Sequence, residues 1–214
     1  RGCGLALGRK DQARASETTA AMTPLQLAVR SVLDDLATQR LALVGGLAVS
    51  ARAEPRFTRD VDFAVAVASD SEAERIVSGL VTRGYRISAQ VEQDATGRLA
   101  TVRTVPPGGS VLCDLLFASS GIEPEIVASA STLTLFEGCV APVASVGHLI
   151  AVKLLARSPR RLQDDLDLDA LARVATAEDV LEARSAIALI TTRGFARDKN
   201  LEAEIAAWRA RTGR

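Results

Sequence analysis

Two aspartates separated by one residue stand in an otherwise apolar segment of the chain. The segment DVDFAVAV begins with Asp60 and Asp62, and its β-branched and aromatic residues predict a strand over 60–67. Because side chains alternate across a strand, the two carboxylates are expected on one face, where they repel each other and lose hydration. A divalent cation would remove both penalties, and Mg²⁺ typically takes one or two carboxylates plus phosphate oxygens of a substrate. The pattern therefore predicts a magnesium site that acts on a phosphorylated substrate.

A third carboxylate lies inside another apolar segment. Asp114 stands within SVLCDLLFA, which predicts a buried strand over 110–118 that cannot easily hold a charge without a partner. With Asp60 and Asp62 it would complete a two-metal site, in which ions about 3.5–4 Å apart clamp the attacking and leaving oxygens of a displacement. Asp114 is therefore the predicted third metal ligand.

A glycine pair precedes the aspartates. Gly45 and Gly46 follow LALV, a predicted strand over 41–44, and lead into a predicted short helix over 47–53. A tight glycine turn lets a phosphate approach the backbone, and the start of a helix offers free N–H groups and a positive dipole end. The glycine pair alone is a weak signal, but the Asp-x-Asp pair on the next strand strengthens it.

The elements that must position these residues divide the chain into a mixed α/β part and an all-helical part. We predict helices over 24–38 and 70–83, an antiparallel pair of strands within 85–105, and one more strand over 132–143. From Ser145 onward the pattern is helical, with helices over 145–156, 158–175, 176–191 and 197–210. The predicted fold class is α/β (α+β), a small mixed sheet with flanking helices followed by a helical carboxyl-terminal part.

The predicted boundaries are a tail over 1–21, a core over 22–144 and a helical region over 145–214. Met22 is the sole methionine, and Thr23 and Pro24 have the residue types of a helix N-cap and first helical position. Residues 1–21 are therefore expected to be an upstream extension or a poorly ordered tail.

The amino-acid composition limits the classes of binding partner that are expected. Twenty-six basic residues balance twenty-six acidic ones, which argues against a broadly basic nucleic-acid-binding surface. The three cysteines show no metal or redox spacing, as is typical of reduced thiols in a cytoplasmic protein. No apolar run approaches the roughly 18 residues of a membrane span, so no membrane partner is expected.

Three segments together resemble a known superfamily. Gly45-Gly46 followed by Arg56, Thr58 and the two aspartates resembles the first motif of polymerase-β-type nucleotidyltransferases, with glycine at position 46 where polymerases carry serine. CDLLF resembles the strand of their third aspartate. PVASVGHLIAVKLLARSPRRLQDDLDLDAL resembles the helical segment of AbiEii-type nucleotidyltransferases, toxin-like proteins of abortive-infection and type IV toxin–antitoxin systems.

The resemblance implies roles for particular residues. The metal ligands for two Mg²⁺ ions would be Asp60, Asp62 and Asp114, with Asp114 also the base. Nucleoside triphosphate would be bound by Gly45, Gly46, Arg56, Thr58 and Lys153. Asp164 would be catalytic and near the active site, with Asp167 next to it. The implied acceptor is an RNA or tRNA end or a protein, and a cognate antitoxin is an implied partner.

Other interpretations stay open at this stage. Asp60 and Asp62 could be a solvated pair at a strand end facing Arg56, Asp114 could be a cap, and Lys153 could lie on a helix surface. All carboxylates of DDLDLD other than Asp164 could form a solvated acidic face. A small-molecule-modifying nucleotidyltransferase, for example one acting on an aminoglycoside, and a non-catalytic partner-binding module are the alternative functions.

Overall fold

The computed structural model describes residues 22–94 and 96–214, so the tail predicted over 1–21 lies outside the described residues. Within the described part, seven strands form one mixed sheet in the order β3-β4-β5-β2-β1-β7-β6. The strands are β1 (Leu41–Val44), β2 (Asp60–Val65), β3 (Arg86–Glu92), β4 (Leu99–Val105), β5 (Leu112–Leu116), β6 (Ser131–Phe136) and β7 (Cys139–Val143). The predicted fold class, a mixed sheet with flanking helices and a helical carboxyl-terminal part, is confirmed.

Eight helices accompany the sheet in the described part. They are α1 (Pro24–Asp35), α2 (Gly45–Arg52), α3 (Asp70–Thr82), α4 (Glu123–Ser129), α5 (Val146–Ala156), α6 (Leu162–Val174), α7 (Ala177–Thr192) and α8 (Leu201–Thr212). Five of the eight start with a side-chain cap. For example, Thr23 forms a capping box with Gln26, and the side chain of Ser145 accepts from the backbone N–H of His148. Within residues 22–94 and 96–214, no helix is long and apolar enough to cross a membrane.

Two sequence predictions differ from the structure. The single strand predicted over 132–143 is wrong: β6 and β7 are two antiparallel strands joined by a turn at Glu137 and Gly138. Gly138 has φ of +69°, a left-handed conformation that lets the chain reverse where the predicted strand would continue. Helix α4, which lies between β5 and β6, was not predicted at all.

The centre of the sheet is the core that holds the site. The inner strands β1, β2 and β5 carry fully buried apolar residues such as Leu43, Phe63 and Leu115. Helix α5 is apolar on nearly every side and is correspondingly buried, and it packs against α2, α6 and α7. Since α2 begins directly after β1, this packing fixes the helical carboxyl-terminal part against the glycine segment.

Candidate active site

The three predicted metal-binding carboxylates lie on two neighbouring strands. Strands β2 and β5 run parallel, and their register places Asp62 directly beside Asp114, while Asp60 lies two residues before Asp62 on the same face. Thr58 donates a hydrogen bond from its hydroxyl to Asp60 Oδ1 at 3.2 Å, which orients the first carboxylate. The register therefore brings together residues that are more than fifty positions apart in sequence.

Gly45 provides the space for Asp62. It has φ of +64°, and a Cβ at this position would overlap Oδ2 of Asp62 and lie 2.6 Å from its Cγ. Any side chain at position 45 would therefore be strained in its backbone and would displace the carboxylate. Gly45 was predicted to let a phosphate approach the backbone, and the structure adds that the missing side chain leaves room for the carboxylate of Asp62.

The electrostatics of Asp62 show how crowded the negative charge is. Burial first, and then the nearby charges of Asp60 and Asp114, raise the pKa of Asp62 from its ordinary value of 3.8 to about 7. A carboxylate held this way gains from a cation, because positive charge would offset both the lost hydration and the repulsion. This donor chemistry fits a divalent cation at Asp60 and Asp62.

The third carboxylate is already engaged. Arg103 on β4 donates from Nε to Asp114 Oδ1 at 2.8 Å and from Nη2 to Asp114 Oδ2 at 2.7 Å. Among residues 22–94 and 96–214, no three His, Cys, Asp or Glu side chains are arranged to hold one metal ion. The residues therefore fit a cation bound by Asp60 and Asp62, while both oxygens of Asp114 accept hydrogen bonds from Arg103.

Gly46 makes room for an arginine. A Cβ at position 46 would overlap Nη2 of Arg56 and lie 2.8 Å from its Cζ. The guanidinium donates from Nη2 to Asp167 Oδ2 at 2.9 Å and from Nη1 to the carbonyl oxygen of Phe57 at 2.9 Å. Arg56, predicted to bind nucleotide, thus ties the loop before β2 to helix α6.

Lys153 lies between two carboxylates of helix α6. Its Nζ is 3.0 Å from Asp164 Oδ1 and 2.7 Å from Asp167 Oδ2, and the residue is only 7% exposed. The surface interpretation of Lys153 is therefore wrong. The solvated interpretation is also wrong for Asp167, which is 1% exposed.

The charges of this cluster balance one another. Burial alone would raise the pKa of Asp167, but hydrogen bonds from Arg56 and Lys153 outweigh it and hold that pKa below its ordinary value. Asp164 has Arg161 Nε 3.0 Å from its Oδ2, yet this oxygen makes no hydrogen bond within the described residues. Asp164 Oδ2 is therefore held by an ion pair with Arg161 and not by a hydrogen bond.

One cavity of about 1130 Å³ contains the whole set. All nine sequence-predicted site residues line it: Gly45, Gly46, Arg56, Thr58, Asp60, Asp62, Asp114, Lys153 and Asp164. They come from α2, β2, β5, α5, α6 and the loop before β2, so only the assembled sheet and helices bring them together. The volume is sufficient for a nucleotide together with part of a second substrate.

Two residues of the cluster were missed or misjudged from sequence. Arg103 was not singled out, although a lone arginine among the apolar and threonine residues of LATVRTV was a weak signal. Asp167 was named after Asp164 by resemblance, but its role as the shared partner of Arg56 and Lys153 could not be read from spacing. Both depend on contacts between elements.

Comparisons with known proteins point in one direction. A family model described as "Nucleotidyl transferase AbiEii toxin, Type IV TA system" matches residues 28–211. Among curated protein sequences, none matches this chain at a significant level.

Several solved structures are similar at low identity. An antigenic nucleotidyltransferase-like protein from Paracoccidioides brasiliensis is 19% identical, with a TM-score of 0.45 over 84% of this chain and 90% of that one. JHP933 from Helicobacter pylori is 17% identical, with a TM-score of 0.41 over 87% and 88% of the two chains. The antibiotic-resistance factor ANT(2″)-Ia is 19% identical, with a TM-score of 0.42 over 87% and 92%.

Proposed function

Because the chain belongs to the AbiEii family of nucleotidyltransferases, we propose that it transfers a nucleoside monophosphate from a nucleoside triphosphate to a hydroxyl group of an RNA acceptor, with Mg²⁺ as cofactor. The observation that carries the proposal is the single cavity lined by all nine residues predicted for this chemistry. A toxin of a type IV toxin–antitoxin system is the proposed biological role, with a cognate antitoxin as partner.

The triphosphate has a place in this cavity. Helix α2 begins at Gly45 beside the carboxylates, and a helix start with free N–H groups favours phosphate. Lys153 and Arg56 lie on the same wall as positive groups. The ammonium of Lys153 and the guanidinium of Arg56 form ion pairs with Asp164 and Asp167. We infer that these two carboxylates position both cations so that they face the triphosphate.

The carboxylates would hold the cofactor and receive the proton. Asp60 and Asp62 would bind Mg²⁺, which when bound supplies positive charge against the phosphate oxygens. The acceptor oxygen forms a bond to the α-phosphorus, the bond from that phosphorus to the bridging oxygen breaks, and pyrophosphate leaves. The hydroxyl proton passes to Asp114 once Arg103 has released an oxygen. Catalysis then consists of positioning and charge stabilisation.

An RNA acceptor is supported by exposed residues of the cavity lining. Phe57 is 79% exposed, and the guanidinium carbon of Arg59 lies 5.7 Å from the centre of its ring. Exposed Arg160 and Arg161 line the same cavity. An exposed aromatic ring among arginines suits unpaired bases and their phosphates, since bases stack on aromatic faces and phosphates pair with guanidinium groups.

The test is a labelling experiment with each of the four α-³²P nucleoside triphosphates, Mg²⁺, and either total RNA or RNase-treated lysate. We expect label in an RNA band with the wild type and none with Asp62→Asn, which preserves shape and removes the charge. Label in a protein band or in an added aminoglycoside would assign the acceptor to those classes instead. No label with any nucleotide, together with no thermal stabilisation by nucleotide and Mg²⁺, would favour a non-catalytic binding module.

A further inference from the structure

A row of three charged side chains crosses the sheet next to the reaction site. The register pairs Asp62 on β2 with Asp114 on β5, and pairs Asp114 with Arg103 on β4. Directly opposed residues on adjacent strands share a face, so the three side chains stand side by side. The positive member of the row is therefore built into the sheet at the position next to the carboxylates.

The contact between Arg103 and Asp114 is strong and specific. Two parallel N–H···O bonds of 2.8 and 2.7 Å engage both carboxylate oxygens, which is the favoured geometry of an arginine–carboxylate pair. The hydrogen bond to Asp114 raises the pKa of Arg103, so the guanidinium stays charged at every physiological pH. Both oxygens of Asp114 thus accept hydrogen bonds, and the positive guanidinium beside them disfavours a cation at the same carboxylate while this pair persists.

The two partners differ in their freedom to move. The side chain of Asp114 is 10% exposed, whereas that of Arg103 is 44% exposed and lines the cavity. Arg103 can therefore turn toward solvent or toward a substrate phosphate while Asp114 stays in place. A triphosphate in the cavity offers the guanidinium a comparable bidentate partner.

We propose that Arg103 is a built-in counter-ion that keeps Asp114 out of the metal site, so that the nucleotide-free protein binds one divalent cation through Asp60 and Asp62. The proposal rests on the metal-dependent function proposed above and adds to it a positioning residue that decides how many ions bind. Displacing Arg103 makes Asp114 available and allows a second ion.

The test counts bound Mn²⁺ by electron paramagnetic resonance of the free ion, without nucleotide. We expect one ion per wild-type chain and two per Arg103→Gln chain, because removing the guanidinium removes the positive charge that competes with a second ion for Asp114. Arg103→Lys keeps the charge but loses the bidentate geometry. The average number of Mn²⁺ ions bound per chain of this variant should therefore lie between the values of the wild type and Arg103→Gln. Adding Asp114→Asn to Arg103→Gln should return the count to one.

A matched control removes a similar ion pair elsewhere. Arg98 pairs with Asp70 at 3.0 Å, with both side chains a little over one-third exposed. Arg98→Gln makes the same change of charge, but neither Arg98 nor Asp70 lines the cavity. It should therefore leave the number of bound Mn²⁺ ions at one. Circular dichroism of each variant checks that the fold is kept, and Arg103→Lys serves if Arg103→Gln does not fold.

The outcomes separate this inference from the proposed function. Two ions in the wild type, or one ion in both the wild type and Arg103→Gln, would overturn the role of Arg103 and leave the metal-dependent transfer standing. No Mn²⁺ in either protein would overturn both the counter-ion role and the metal site. The labelling experiment on the same preparations then reports whether transfer itself occurs.

Discussion

The guanidinium of Arg56 fills the space that a side chain at position 46 would occupy, with Cζ 2.8 Å from where a Cβ at Gly46 would lie. From there Arg56 reaches Asp167 on α6, which also binds Lys153 on α5. The absence of one side chain therefore lets the glycine segment connect to the helical carboxyl-terminal part. A glycine that is a weak motif in the sequence has a specific steric function in the structure.

Gly46→Ala should break that connection. The new methyl group forces Arg56 away from Asp167, which leaves a buried carboxylate with one cation fewer and costs about 1–2 kcal/mol. Thermal denaturation should show a melting temperature lower by roughly 2–8 °C. Gly79→Ala in α3 is the control, because its Cβ meets only Arg83 Nη1 at 3.1 Å, and helix propensity should make it neutral or slightly stabilising. If Gly46→Ala costs as much in an Arg56→Ala background as alone, the steric explanation is wrong.

Asp62→Asn should stabilise the metal-free protein in a pH-dependent way. The folded-state pKa of Asp62 is about 7 and the ordinary value is 3.8, so the folded state holds the proton more tightly. Wild-type stability therefore falls as pH rises from about 4 to about 7, and the full cost is present above pH 7. The difference between these two pKa values corresponds to about 4 kcal/mol, so the variant should melt roughly 8–16 °C above the wild type at pH 8, and the gain should vanish near pH 4.

The same melts with Mg²⁺ check the metal site. We expect Mg²⁺ to raise the melting temperature of the wild type at pH 8 and to have little effect on Asp62→Asn. A pH-independent difference between the two proteins would show that Asp62 does not titrate as the structure implies.

Lys153→Met should destabilise the fold more than the loss of a surface pair. It leaves Asp164 and Asp167 buried with less compensating positive charge. Removing one partner of a buried ion pair costs about 3–5 kcal/mol, and we expect about 3 kcal/mol here because Arg56 and Arg161 still contact these carboxylates. The melting temperature should fall by roughly 6–12 °C. Adding Asp167→Asn should recover part of this loss.

The comparison for Lys153 is an exposed pair. Arg173 Nη2 lies 2.6 Å from Glu54 Oε2, and the two side chains are 55% and 61% exposed. Arg173→Met should therefore lower the free energy of unfolding by less than about 1 kcal/mol. Equal losses in Lys153→Met and Arg173→Met would mean that the buried cluster contributes nothing beyond an ordinary surface contact.

Phe57→Ala should weaken the acceptor and spare the nucleotide. Stacking of one base on an aromatic ring contributes about 1–3 kcal/mol, so KM for the RNA acceptor should rise roughly five- to hundredfold. KM for the triphosphate should stay within about twofold, because surface changes away from a contact are small. Leu181→Ala removes another exposed apolar side chain, which is 62% exposed and does not line the cavity, and should change neither value. A parallel rise in both constants would place Phe57 against the nucleotide instead.

Local chemistry explains what could be predicted from the sequence. Alternation along one strand places Asp60 and Asp62 on one face, and Ser145 caps α5 through a hydrogen bond to a residue three positions away. These features depend on neighbours within a few residues, which the sequence shows directly. The hairpin at Gly138 was missed because residue types that are common in strands continue on both sides of Glu137 and Gly138.

Tertiary structure alone decided how the site is completed. The register of two parallel strands sets Asp62 beside Asp114, and a third strand adds Arg103, which donates hydrogen bonds to both oxygens of Asp114. Arg56 meets Asp167 across 111 positions of sequence, and both are brought together by the packing of α6 against α2. The sequence determined which residues carry charge and which way each faces along its own element. Which charges neutralise one another depends on strand register and helix packing, and these arise only when distant elements bury their apolar faces together.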